Sequence, residues 1–151
     1  MFQKKIDVWR PLDRPGRLFM YSFSSKKQVI PCGHNPEDYL CRRLFATSHD
    51  GEKIPVTILH KKGLSLNGNA PLLLYGYGSY GYSMPAHFSA NVYSLVDRGM
   101  VYAIAHVRGG TENGFNWYLS GKLRQKKNTF FDFIATAEFL IKKRYTKSGQ
   151  I

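Results

Sequence analysis

The chain has 151 residues, 43% hydrophobic and 15% aromatic, with 22 Lys and Arg against 10 Asp and Glu for a formal charge of +12. That length suits one domain of about 100–200 residues, and the apolar fraction is enough to bury a core, while no run of roughly 18 apolar residues marks a membrane span. The basic groups fall in scattered pairs such as Lys4-Lys5, Arg42-Arg43 and Lys126-Lys127, with no zinc-ligand spacing and no aromatic RNA-binding motif. The charge therefore reads as solvated faces, and neither nucleic acid nor a membrane is an expected partner.

Residues 17–23 are aromatic-rich, and the polar Ser24-Ser25-Lys26-Lys27 leads to a second short strand at 28–30 before Pro31, which predicts a β-hairpin. Asn35-Pro36-Glu37-Asp38 is turn-rich and marks the expected domain boundary. Strand-like runs at 42–47 and 54–60 flank His49-Asp50-Gly51-Glu52, whose Asp-Gly supplies a hairpin turn, so an antiparallel pair is expected. From Pro71 the pattern changes: Leu72-Leu73-Leu74-Tyr75 is the continuous apolar run of a strand covered on both faces, and it enters Gly76-Tyr77-Gly78-Ser79-Tyr80-Gly81. Phe88, Val92, Leu95 and Val96 recur at helical spacing, with Gly99 as the stop. Residues 100–107 read as a second buried strand, closed by Arg108-Gly109-Gly110. Thr129 with Asp132 three residues on reads as a capping box. It opens a helix over 129–143 with an apolar stripe of Phe130, Phe133, Ile134, Ala137, Leu140 and Ile141 and a basic end at Lys142-Lys143-Arg144.

Strand, helix, strand, helix predicts an α/β fold of parallel strands layered with helices, with the antiparallel hairpin at one edge. Chemistry in such sheets gathers at the carboxyl ends of strands, here the loops at 76–83 and 108–114. Gly76-x-Gly78-x-x-Gly81 matches the dinucleotide fingerprint by letter, but Tyr82-Ser83-Met84-Pro85 delays the helix, the next strand ends without a carboxylate, and Asp97 sits at a helix end. No cofactor is expected. Tyr75, Tyr77, Tyr80 and Tyr82 alternate with glycines, so some phenols project where a substrate would lie; the alternative is that they wedge the loop against a partner domain. His106 reads as a core histidine, and Arg108 as the holder of its glycine turn or of a domain contact. His34 lacks a completing ligand set, so no metal is expected. Cys32 and Cys41 read as reduced, partly buried thiols, and with no apolar leader at the start of the sequence they point to the cytoplasm.

The run from Pro71 to Gly81 (PLLLYGYGSYG), that from Asp97 to Gly110 (DRGMVYAIAHVRGG), and then Trp117-Tyr118, Gly121-Lys122, Lys126-Lys127-Asn128-Thr129-Phe130 and Asp132-Phe133 closely resemble the prolyl oligopeptidase family of serine peptidases. Within it, GSYG and AHVRGG resemble the oligopeptidase B (protease II) branch more than the prolyl-specific one; Thr111 departs where many members place a third glycine. The resemblance implies a β-propeller and an α/β-hydrolase domain in a chain several times longer, which makes this one a fragment. Residues 1–38 correspond to the last propeller hairpin, and residues 39–151 to the N-terminal half of the hydrolase peptidase domain, ending before the nucleophile. It further implies hydrolysis of short peptides, after Arg or Lys as in oligopeptidase B, by a Ser-Asp-His triad. No Gly-x-Ser-x-Gly nucleophile elbow occurs in this sequence, so the chain alone is expected to be inactive.

By the same resemblance Tyr77 takes the family's oxyanion-donor role, and Tyr80 stands where prolyl enzymes place an aromatic ring in the substrate pocket. The implied partners are a peptide substrate in an intact relative and, in a split enzyme, a complementing piece that carries the nucleophile. A small basic module that binds nucleic acid or an acidic protein is the reading of another class, separable by salt-dependent binding.

Overall fold

The computed structural model describes residues 35–87 and 89–151. The expected hairpin at 17–30, Cys32, His34 and Phe88 lie outside them. A short 3-10 turn, Pro36–Asp38, is capped by the Asn35 side chain, which accepts from the Glu37 N–H. It leads into β1 (Tyr39–Thr47), which turns back antiparallel into β2 (Lys53–Lys61). The turn forms as its residues require: Gly51 takes φ +87°, and the Gly51 N–H donates to the Ser48 carbonyl.

β3 (Leu72–Tyr75) and β4 (Val101–Ala105) pair in parallel, connected through helix α1 (Ala90–Asp97). Strand order is β1-β2-β4-β3, with β4 antiparallel to β2. The expected α/β sheet is present, with its antiparallel hairpin at one edge and β3 at the other. Helix α1 ends at Gly99, φ +89°, whose N–H returns to the Val96 carbonyl. Two further elements, α2 (Phe115–Leu119) and a 3-10 turn at Leu123–Gln125, intervene before the long helix α3 (Lys127–Lys142). Among the described residues no helix is long and apolar enough to cross a membrane.

Each face of the sheet has its own core. Ile54, Val56 and Ile58 of β2 pack with Val101, Ala103, Trp117 and Leu140 on the α3 side, whereas Leu59 packs with Tyr93 and Val96 of α1 on the other. Coverage on both faces explains why β2 is buried from Ile54 to His60. Asp97, at the end of α1, accepts from the Tyr39 hydroxyl at 2.7 Å and pairs with Lys61 at 3.2 Å, a clamp between helix and hairpin edge.

Helix α3 corrects the sequence reading. It begins at Lys127, without a side-chain cap, so Thr129 and Asp132 are not a capping box. They lie inside the helix, and with Thr136 and Leu140 they form its buried face. Phe133 and Phe139 pack beside that face, but Phe130 and Ile134 of the expected stripe are 61% and 52% exposed. The helix is rotated because a buried arginine needs a carboxylate there.

Candidate functional site

Because β3 and β4 are parallel neighbours, their carboxyl ends open on the same edge of the sheet, and the loops that follow them meet. The Gly81 N–H donates to the Gly109 carbonyl at 2.9 Å, and the Gly109 N–H to the Trp117 carbonyl at 3.0 Å. Thr111 Oγ1 donates to the Gly81 carbonyl at 2.8 Å. The contact is backbone against backbone. A Cβ at Gly109 would lie 2.0 Å from the Gly78 carbonyl oxygen, and one at Gly121 would lie 2.2 Å from the Gly109 nitrogen. Glycine is therefore required by space as well as by the φ of +105° at Gly109.

Arg108 anchors this junction from below. Its guanidinium, 4% exposed, forks onto Asp132 of α3 through Nε to Oδ2 (2.8 Å) and Nη2 to Oδ1 (2.6 Å), and its Nη1 reaches Asp50 of the β1–β2 turn. Ser48 Oγ donates to the same Asp132 carboxylate at 2.7 Å, and Thr129 Oγ1 donates to the Arg108 carbonyl at 2.6 Å. Burial pulls the Arg108 pKa down, but hydrogen bonds to Asp132 and Asp50 raise it above the usual arginine value. The Arg108 hydrogen bond in turn holds the Asp50 carboxyl below its usual range. Arg108 thus ties the segment after β4 to α3 and to the β1–β2 turn. The network was invisible to motif reading, although one signal existed: an arginine ending a buried strand needs a carboxylate, and downstream only Glu112, Asp132 and Glu138 can supply it.

His106 is buried, with Nε2 2.8 Å from Thr57 Oγ1 and Nδ1 3.7 Å from Glu112 Oε1. It is a core histidine. Glu112 Oε1 also accepts the Met84 N–H at 3.0 Å, tying the 108–114 loop to the segment that follows the tyrosines. Burial pushes the Glu112 carboxyl up, yet the His106 ring and the Met84 N–H outweigh it and hold the carboxyl below its usual range.

The tyrosines stand on this clamped base. Tyr77 is 44% exposed, its ring edge-on to Tyr82 with centroids 5.9 Å apart. Tyr80 is 89% exposed and takes φ +55°. Tyr80 borders a cleft of about 320 Å³ with Ser79, Gly109, Tyr118, Lys122, Leu123 and Lys126. Lys126, just before α3, donates to the Gly78 carbonyl at 2.5 Å and to Ser79 Oγ at 2.8 Å, and burial lowers its pKa. As an ammonium shared between two oxygens it is a donor, not a base for Ser79. Tyr77 and Tyr80 thus project from one short loop on the same sheet edge. Helix α1 starts at Ala90, nine residues after Gly81, too late to offer its N-terminus to a pyrophosphate in that loop.

The sequence profile of the prolyl oligopeptidase family matches residues 86–151. Dipeptidyl aminopeptidase BI of Pseudoxanthomonas mexicana is 46% identical over 127 residues, which cover 83% of this chain and 17% of that protein. Residues 86–151 of this chain are a prolyl oligopeptidase family segment. Two more relatives are similar over most of this chain. Protease 2 of Moraxella lacunata is 47% identical over 121 residues, 79% of this chain and 18% of that protein. Oligopeptidase B of Leishmania major superposes with a TM-score of 0.77 at 42% identity, covering 87% of this chain and 19% of that one. The chain therefore spans less than a fifth of the length of these family members.

Proposed function

We propose that this chain carries the oxyanion side of a serine peptidase site. The Tyr77 hydroxyl donates to the substrate carbonyl oxygen as it becomes an oxyanion, and Tyr80 contacts the residue that precedes the cleaved bond. The observation that carries the reading is the position of Tyr77: half-exposed at the carboxyl end of β3, with its ring held by Tyr82, on a loop bonded to Gly109 and Lys126. A donor held in place before the reaction stabilises developing charge without reorganising, and loss of one such donor costs about 100- to 1000-fold in turnover.

The nucleophilic serine, its histidine base and the orienting aspartate come from outside these 151 residues, and the chain alone is inactive. Residues 1–38 belong to the propeller and 39–151 to the peptidase domain. The substrate is a short peptide cut after Arg or Lys, and the compartment is the cytoplasm. The alternative is a split enzyme, with the nucleophile on a separate polypeptide. The Leu72 N–H donates to the Gln150 carbonyl at 2.9 Å, so β3 bonds a backbone segment other than β4.

The test mixes the purified chain with a Protease 2 relative from which the matched segment has been deleted. Neither alone should cleave an Arg- or Lys-blocked peptide amide. The mixture should, and Tyr77→Phe should lower its turnover about 100- to 1000-fold with little change in KM. An active mixture whose turnover is unchanged by Tyr77→Phe would overturn the role of Tyr77, and cleavage by the chain alone would overturn the placing of the nucleophile outside it.

A further inference from the structure

The loop that presents the tyrosines is conformationally costly. Gly78 sits at φ +63° and Tyr80 at φ +55°, so the chain enters the left-handed region on either side of Ser79, and Tyr80 does so with a side chain attached. Such a loop keeps one shape only where its surroundings hold it. Three holds lie at its far end: the Gly81 N–H to the Gly109 carbonyl, Thr111 Oγ1 to the Gly81 carbonyl, and the Tyr82 N–H to the Ser79 carbonyl. At Gly78 and Ser79 the hold comes from the residue that leads into α3. Gly78 is buried against Thr129 and Val107, and its carbonyl takes a charge-assisted bond from Lys126, whose ammonium also holds Ser79 Oγ at 2.8 Å.

We propose that Lys126 is a positioning residue for the tyrosine loop: by gripping the Gly78 carbonyl and the Ser79 hydroxyl it sets the peptide plane between them, and with it the directions in which Tyr77 and Tyr80 project. Without that grip the Gly78 carbonyl is a part-buried acceptor with no cation, and the plane is free to turn toward another donor. The catalytic meaning of this role rests on the reading of Tyr77 as an oxyanion donor; the conformational role stands on the chain alone. Lys126 is suited to it because α3 is rigidly seated. Thr129, one turn on, is bonded to the Arg108 carbonyl, and Asp132 to the Arg108 guanidinium, so the ammonium is delivered from a fixed base.

The experiment reads amide hydrogen exchange in the purified chain. The Gly81 and Tyr82 N–H groups report the loop, and those of β2 and β4 report the fold. Lys126→Met should speed exchange at Gly81 and Tyr82 about tenfold or more, leave β2 and β4 protected, and be largely rescued in Lys126→Arg. Loop exchange unchanged in Lys126→Met overturns the proposal. Should Lys126→Met fail to fold, Ser79→Ala, which keeps the ammonium and removes one of its two acceptors, should speed loop exchange about threefold; no change there overturns it equally.

In the complementation assay, Lys126→Met should lower kcat more than it raises KM, and adding it to Tyr77→Phe should cost little more than Tyr77→Phe alone, because both act through one hydroxyl. Additive losses would show that Lys126 does not work through Tyr77. If complementation yields no activity at all, the oxyanion reading fails while the exchange result still decides the role of Lys126.

Discussion

Arg108 and Asp132 are joined by hydrogen bonds from the arginine backbone N–H (3.0 Å), Nε (2.8 Å) and Nη2 (2.6 Å) to the two carboxylate oxygens, so the end of β4 and the middle of α3 move as one piece. Asp132 is fully buried and Arg108 nearly so. Such a pair is satisfied only while complete: removing one partner leaves a buried charge uncompensated, at about 3–5 kcal/mol. That is a large part of the roughly 5–15 kcal/mol that holds a domain folded. Asp132→Ala and Arg108→Met are each expected to lower the urea midpoint by an equivalent amount or to prevent folding. Asp132→Asn, which keeps an acceptor, should cost less. Losses under about 1 kcal/mol would mean that the carboxylate is not what seats the helix.

Acid should loosen the same region. The Asp50 carboxyl is held below its usual range by the Arg108 hydrogen bond; for Glu112, burial acts upward but is outweighed by His106 and the Met84 N–H. A carboxyl depressed in the folded state contributes stability fully present above its unfolded pKa, about 3.9 for Asp and 4.3 for Glu, and lost as pH falls through the folded value. Melting temperature should therefore be flat with respect to these two groups above about pH 5 and fall below about pH 4. Glu112→Gln should make that acid limb shallower. An identical limb in the variant would remove Glu112 from the account.

Much of this was legible from the sequence. The Asp-Gly turn, the apolar run into Gly76 and the stop at Gly99 each follow from local backbone chemistry, and the structure has them where that chemistry puts them. The tyrosine loop was legible for the same reason, since glycines alternating with aromatic residues after an apolar strand leave rings at a sheet edge. But β3 is an edge strand with Leu73 and Tyr75 exposed, not covered on both faces as its apolar run suggests. The buried face of α3 was not. Hydrophobic periodicity counts only apolar residues, whereas the groups that orient this helix are Thr129, Asp132 and Thr136, buried by the demand of an arginine 24 residues before Asp132. Lys126 escaped notice because a lysine in a basic run ordinarily faces water. What distinguishes it is the Gly78 carbonyl, which only the fold brings near.

The glycine junction makes a sharper contrast than usual between two glycines of positive φ. Gly63, at φ +82°, has open space where a Cβ would go, so Gly63→Ala should cost only the backbone strain of about 1–2 kcal/mol. Gly109→Ala adds a collision with the Gly78 carbonyl at 2.0 Å, from backbone that cannot step aside. It is expected to separate the two loops, with a much larger fall in melting temperature and loss of the Gly81 N–H protection that the Gly109 carbonyl provides. Equal melting temperatures for the two variants would show that the junction is looser than its distances imply.

The edge position of β3 carries the last prediction. Leu73 is 41% exposed and Tyr75 is 40%, on a strand whose outer side meets no other described strand, and Phe130 and Ile134 of α3 are open as well. An apolar edge with unpaired backbone groups is a template for association between chains. The purified chain is therefore expected to scatter light in a concentration-dependent way and to bind ANS. Leu73→Lys places a charge on that edge without touching the α3-side core, so it should suppress both while leaving the Arg108 network and the melt of the remaining monomer unchanged. If Leu73→Lys aggregates as readily as the parent chain, association proceeds through another surface; Phe130→Ser, tested beside it, separates the α3 face from the strand edge.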